Sequence, residues 1–186
     1  MCGGRGTRLR PEIKGEKPLV EVGGQPMVEH VLAALRESRI ETIYAAVSPA
    51  TPDTAAWLAS REVTVIETPG EGYVADLGAA LDDIRTPVLT VTADLPLLAA
   101  EHVDRLIDDY EGHSLSVCVP LAVAEEMAAS VETTVDHDGS AVVPTGLNVV
   151  GNSGDRRVVW TDRRLALNVN RPADRRQADR WLLDSI

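Results

Sequence analysis

Val88-Leu89-Thr90-Val91-Thr92-Ala93-Asp94-Leu95-Pro96 begins as an apolar, β-branched run and ends on a carboxylate and a proline. Runs of this kind suit strands buried on both faces of a sheet. Similar runs flank it at Ile40–Val47, Val63–Ile66 and Leu115–Val119. The intervening segments, Pro26–Arg36, Asp53–Ser60, Val74–Ile84 and Glu101–Tyr110, carry helical patterns. In the last of them Val103, Leu106, Ile107 and Tyr110 recur at helical spacing, with Asp104, Asp108 and Asp109 turned outward. Strands alternating with helices imply right-handed βαβ units and a mostly parallel central sheet: an α/β, Rossmann-like, three-layer fold. Asp94 then stands at the carboxyl end of a parallel strand, where open α/β sheets bind their ligands.

Beyond Pro120 the pattern changes to short extended segments, Val131–Val135, Ala141–Val143, Leu147–Val150 and Val158–Trp160. His137-Asp138-Gly139 reads as a hairpin turn, and Ala173–Leu183, led in by Pro172, as a final amphipathic helix. No linker, repeat or low-complexity stretch interrupts residues 1–186. The expectation is one domain with an elaboration over roughly residues 120–162.

Four further motifs carry chemistry. Gly3-Gly4-Arg5-Gly6-Thr7-Arg8-Leu9 is followed by Lys17-Pro18-Leu19. Gly3, Gly4 and Gly6, with Thr7 beside them, let backbone amides approach phosphate oxygens. Arg8 adds a forked donor suited to β- and γ-phosphates. Lys17 adds a mobile point charge within reach of an α-phosphate. The loop begins directly after Met1-Cys2, where a Rossmann-like loop normally follows a complete strand. The first strand is therefore expected to be largely missing from this chain, leaving its two neighbours with unpaired backbone groups. Asp94 is a hard anionic ligand suited to Mg²⁺ between phosphates; read alone, it serves equally as a turn or helix-cap residue. Asn168-Val169-Asn170 places two amides on one face of a short strand, or else forms a turn. Gly70-Glu71-Gly72-Tyr73 leads straight into a helix, so its free amides and the positive helix end face the cleft, or else it is a plain loop-to-helix junction. Gly146, in Val143-Pro144-Thr145-Gly146-Leu147-Asn148, either lets the chain pass close to a ligand or marks a strand bulge.

GGxGTRL…EKPL together with TADLP resembles the signature of the nucleotidyltransferase superfamily, which includes sugar-1-phosphate nucleotidyltransferases and molybdenum-cofactor guanylyltransferases. GEGYVADL, VPTGLNVV and LNVNRPAD together are most similar to the archaeal GTP:adenosylcobinamide-phosphate guanylyltransferase family. The resemblance implies transfer of GMP from GTP to adenosylcobinamide phosphate, with release of pyrophosphate, in cobalamin biosynthesis. It implies that Arg8, Lys17 and Asp94 are catalytic and that Asp94 and Asn170 hold Mg²⁺, with Asn168 in support. It places the nucleobase over Gly70, Gly72 and Tyr73, where Glu71 or Asp76 could accept from guanine N1–H. Gly146 and Asn148 fall on the acceptor side, with Gly146 also near the nucleotide. Two other functions fit the same motifs: another NTP transferase of this fold, or a nucleotide-binding regulator without catalysis.

Composition narrows the setting. The net charge is −11, and the lysines are Lys14 and Lys17 alone. So acidic a surface repels phosphate backbones and argues against nucleic-acid binding. It suits solubility in high salt, hence a halophilic source. Cys2 and Cys118 stand far apart without a CxxC partner, which speaks against a disulfide framework or a zinc site. No run approaches the ~18 apolar residues of a membrane span, and the polar, basic N-terminus is unlike a signal peptide. A cytoplasmic setting is expected, with a homodimer left open. His30, His102, His113 and His137 lie outside the motifs, and no catalytic role is expected for them.

Overall fold

The computed structural model describes residues 1–4, 6, 9, 15–82 and 84–184. Thr7 and Arg8, both expected at the phosphate site, lie outside the described residues. After a 3₁₀ turn at Lys17–Leu19 come the short strands β1 (Glu21–Val22) and β2 (Gln25–Pro26), helix α1 (Met27–Glu37) and strand β3 (Tyr44–Val47). There follow α2 (Pro52–Ala59), β4 (Thr64–Glu67), α3 (Tyr73–Leu81), β5 (Val88–Val91), α4 (Ala100–Asp108) and β6 (His113–Pro120). The remainder is α5 (Leu121–Glu126), β7 (Val135–His137), β8 (Ser140–Val150), β9 (Ser153–Val159), a 3₁₀ turn at Arg163–Ala166 and α6 (Pro172–Asp184).

Helices α1 to α5 form where apolar spacing marks a buried face, without a capping side chain from their own N-cap residues. Val28, Val31, Leu32 and Leu35 put one face of α1 into the core. Helix α2 takes its cap from a distant residue: the Glu16 carboxylate accepts from Asp53 N at 2.8 Å and Thr54 N at 2.7 Å. Helix α4 starts at Ala99, which has no capping side chain, and His102 Nδ1 accepts the Ala99 N–H instead, at 3.0 Å. The turn at Asp138 (φ 52°) and Gly139 (φ 79°) joins β7 to β8 as expected, because two successive positive φ angles match the twist of a hairpin.

The α/β, Rossmann-like expectation holds, and the sheet is mixed. Strands β3 and β4 are parallel, as are β6 and β9. The long β8 enters through the hairpin and so runs antiparallel to both β5 and β6, giving the order β5-β8-β6-β9. The segments expected separately at Ala141–Val143 and Leu147–Val150 are one strand, kinked where the register with β6 shifts between Ser116 and Cys118. The extended segment expected at 131–135 begins pairing only at Val135, and α5 was not anticipated. No helix of the described residues is long and apolar enough to cross a membrane.

Met1 and Cys2 do part of a strand's work between β3 and β5. Cys2 N donates to Ala46 O at 2.7 Å, the Met1 amine to Val91 O at 2.8 Å, and Ala93 N to Met1 O at 3.1 Å. Beyond Met1, among the described residues, β3 pairs only with β4 and β5 only with β8. The seam there opens into a trench of about 610 Å³, walled by apolar residues of α1 and α3 such as Val31, Leu35, Leu77 and Leu81.

Candidate active site

At the other end of that seam is a cleft of about 780 Å³, lined in part by Gly3, Gly4, Lys17, Gly70, Tyr73 and Asp94. The N-terminal glycines and the strand-end carboxylate therefore share one crevice. Asp94 follows β5. Its Oδ2 accepts from Lys17 Nζ at 2.6 Å and its Oδ1 from Asn168 Nδ2 at 3.1 Å. The same Lys17 ammonium donates to Asn170 Oδ1 at 2.6 Å. Burial by itself would raise the Asp94 carboxyl. The adjacent Lys17 charge and the hydrogen bonds from Lys17 and Asn168 outweigh burial and hold it below the usual carboxylate range. Asp94 therefore stays an anion at neutral pH, ready to face a cation.

These side chains are 153 residues apart in sequence at the extreme, and each is braced locally. Gly6 sits at φ 57°, where a Cβ would lie 2.6 Å from Lys17 Cβ, so the bare backbone packs against the lysine stem. Asn168 Nδ2 also donates to Thr145 O at 3.0 Å, and Val169 N to Asp94 O at 2.8 Å, tying the Asn168–Asn170 segment to β5 and β8. Asp174, fully buried in the first turn of α6, holds Asn170 from behind. Its Oδ2 accepts from Asn170 N at 3.0 Å, Arg171 N at 2.7 Å and Ser130 Oγ at 2.6 Å, while Oδ1 accepts from Ser130 N at 2.8 Å. The available signal for Asp174 was the acid at the third helical position, two residues after Pro172, the place of an N-terminal capping residue.

Among the described residues, Asp94, Asn168 and Asn170 are gathered around one point with Lys17. The donor set, one carboxylate and an amide oxygen, is hard and oxygen-only, which suits Mg²⁺. The Lys17 ammonium bridges the two oxygens there.

The loop at Gly70, Glu71 and Gly72 also borders the cleft, with a different internal economy from the one expected. Gly70 N and Glu71 N are turned to Asp76 instead of the cleft: they donate to its Oδ1 at 2.7 Å and 3.3 Å. Asp76 is buried, so one of the two acceptors considered for a guanine edge braces the loop, and Glu71 is the exposed one. Positive φ at Gly70 (75°) and Gly72 (116°) permits the tight entry into α3. Tyr73 is 44% exposed at the cleft rim.

Gly146 and Asn148 are not brought into this cluster. Asn148 lies in the ladder opposite Thr90 and Ser116. Gly146 has φ 84°, and a Cβ there would stand 2.4 Å from Thr92 Oγ1. It is the bulge glycine that lets β8 close on the end of β5, adjoining the site through Thr145 and Asn168.

The histidines stay out of the site. His30 Nε2 donates to Val22 O at 2.7 Å, pinning the β1–β2 hairpin to α1. His102 Nδ1 accepts from Ala99, so its Nε2–H donates to Asp162 Oδ2 at 3.0 Å. Glu101, His102 and Asp162 could ring a metal. The Arg164 guanidinium supplies the cation there, at 2.7 Å from Asp162 Oδ2, and forms a structural ion pair.

The chain is similar to several known proteins. The adenosylcobinamide-phosphate guanylyltransferase of Methanocaldococcus jannaschii is 28% identical over 98% of this chain and 95% of its own length. The bifunctional protein GlmU of Enterococcus faecalis is 28% identical over 75% of this chain, which spans only 31% of GlmU. A CMP:2-keto-3-deoxy-manno-octonic acid synthetase complexed with CTP superposes with a TM-score of 0.67 at 13% identity, covering 91% of this chain and 92% of that one, a likeness of fold. Residues 1–168 match the MobA-like NTP transferase domain, and the chain is a nucleotidyltransferase belonging to that family.

Proposed function

We propose that this enzyme, acting in the cytoplasm, transfers GMP from GTP to adenosylcobinamide phosphate, giving adenosylcobinamide-GDP and pyrophosphate. The observation that carries the reading is similarity to an adenosylcobinamide-phosphate guanylyltransferase over nearly the whole of both chains. The cleft between Gly3–Gly4 and Asp94 supports it, because it offers both the backbone and the cation chemistry that a triphosphate needs.

In this reading the triphosphate lies along Gly3, Gly4 and Gly6, with Thr7 and Arg8 contributing from the same loop, and the base lies near Gly70–Tyr73. Asp94 and Asn170 would hold Mg²⁺, which when bound neutralises charge on the phosphates. Lys17 follows the α-phosphate as charge develops there, and Asn168 keeps Asp94 in place. Gly146 and Asn148 border the acceptor. The acceptor phosphate is already ionised at neutral pH, so no side chain has to act as general base. The catalytic contribution of the protein is positioning and charge neutralisation.

The test is pyrophosphate release by the purified protein with GTP, CTP or UTP against adenosylcobinamide phosphate, a molybdenum cofactor or sugar 1-phosphates. Release with GTP and adenosylcobinamide phosphate alone is expected. Turnover with another acceptor instead would reassign the substrate within the same family. GTP binding without any turnover would make the chain a regulator.

A further inference from the structure

The Lys17 ammonium lies 2.6 Å from Asp94 Oδ2 and 2.6 Å from Asn170 Oδ1, and its side chain is 15% exposed at the cleft. The backbone that carries it is pinned on both sides. Glu16 is committed to the start of α2, and Val20 N closes the 3₁₀ turn on Lys17 O at 3.2 Å. Gly6 packs against Cβ. Movement is left to the outer part of the flexible four-carbon stem. A divalent cation bound to the same two oxygens would sit at about 2.0–2.1 Å from each, which puts it in competition with an ammonium already hydrogen-bonded to both.

We propose that Lys17 is the resident cation of this site in the nucleotide-free protein, and that metal and nucleotide therefore load together. Phosphate oxygens entering the cleft draw the ammonium away and release Asp94 and Asn170 to the metal. This rests on the reading of those two residues as metal ligands. Without nucleotide the metal must displace a fixed charge; with nucleotide the charge has a new partner. Linkage makes the effect reciprocal, so the metal strengthens nucleotide binding by the factor by which nucleotide strengthens metal binding.

Mn²⁺ is the probe, with free Mn²⁺ counted by electron paramagnetic resonance in the absence of nucleotide. Lys17→Gln and Lys17→Met are expected to bind Mn²⁺ about 10-fold or more tightly than the unaltered protein, within the usual range of coupling between sites. Because Lys14 and Lys17 are the only lysines, ¹⁵N spectra of the side-chain ammonium groups provide a reading that needs no variant. The Lys17 signal is expected to persist at millimolar Mg²⁺ and to shift when a non-hydrolysable GTP analogue is added with it. Equal Mn²⁺ affinity in all three proteins, or displacement of the signal by Mg²⁺ alone, would overturn the proposal. The double variant Lys17→Gln/Asp94→Asn separates the two levels. Loss of the Mn²⁺ site there upholds Asp94 as ligand whatever Lys17 does. Retention removes the ligand reading, and this inference with it.

Discussion

The seam between β3 and β5 has two ends that solve the same problem differently. At the cleft end, Met1 and Cys2 bond to both strands, and behind them Asp94, Lys17, Asn168 and Asn170 are cross-linked by short polar contacts from distant segments. At the trench end the two strands have no partner across the gap among the described residues, and apolar side chains of α1 and α3 face an open slot. The contrast teaches that polar contacts between distant segments fix the side chains at the cleft end, whereas apolar packing of α1 and α3 shapes the trench end. Substitutions at the cleft end should be read in turnover, and changes at the trench end in melting.

The largest expected effect is at the cleft end. Asp94→Asn is expected to lower pyrophosphate release on the order of 10³-fold, and Arg8→Ala and Lys17→Ala on the order of 10²-fold each. Near-normal steady-state rates in all three would dissolve the contrast, because the network would then be structural only. At the trench end, about five apolar, β-branched residues added ahead of Met1 should raise the melting temperature by at least about 2 °C. Pairing even one buried backbone group is worth roughly 1–3 kcal/mol, and a domain of this size gains a few degrees per kcal/mol. An unchanged midpoint would mean that the trench costs the fold nothing.

Gly146 tests the boundary between the two regimes. From its motif alone, Gly146→Asp should weaken nucleotide or acceptor binding with the fold intact. The 2.4 Å approach to Thr92 and the positive φ add a destabilisation of about 1–3 kcal/mol, measurable by urea unfolding; unaltered stability would show that β8 can shift away from Thr92. The smallest effect is the bulk one. With a net charge of −11, the melting temperature should rise by a few degrees in molar KCl as self-repulsion is screened. No gain would remove the halophilic reading.

Much of this was legible in the chain. The alternation of strands and helices up to Pro120 and the turn at Asp138-Gly139 follow from local pattern, and the nearness of Asp94 to the glycine loop follows from the resemblance to nucleotidyltransferases. Helix α5 was not legible, because six residues after a strand carry too little periodicity. Nor was the bracing role of Glu16, because the helix start it caps lies far along the chain; Asp174 and Asp76 act on nearby backbone, and their positions near the starts of α6 and α3 were the available sign. Gly146 could be read as either a ligand contact or a bulge, and only the position of Thr92 brings out its structural part.

What the sequence by itself determined is chemistry with a local cause: which strands are apolar, which glycines can turn, which residue types suit phosphate and metal. What only the tertiary structure decided is pairing at a distance. That Lys17 bridges Asp94 and Asn170 depends on segments up to 153 residues apart meeting at one point. Hydrogen bonds act over about 3 Å, and separation along the chain says nothing about distance on that scale.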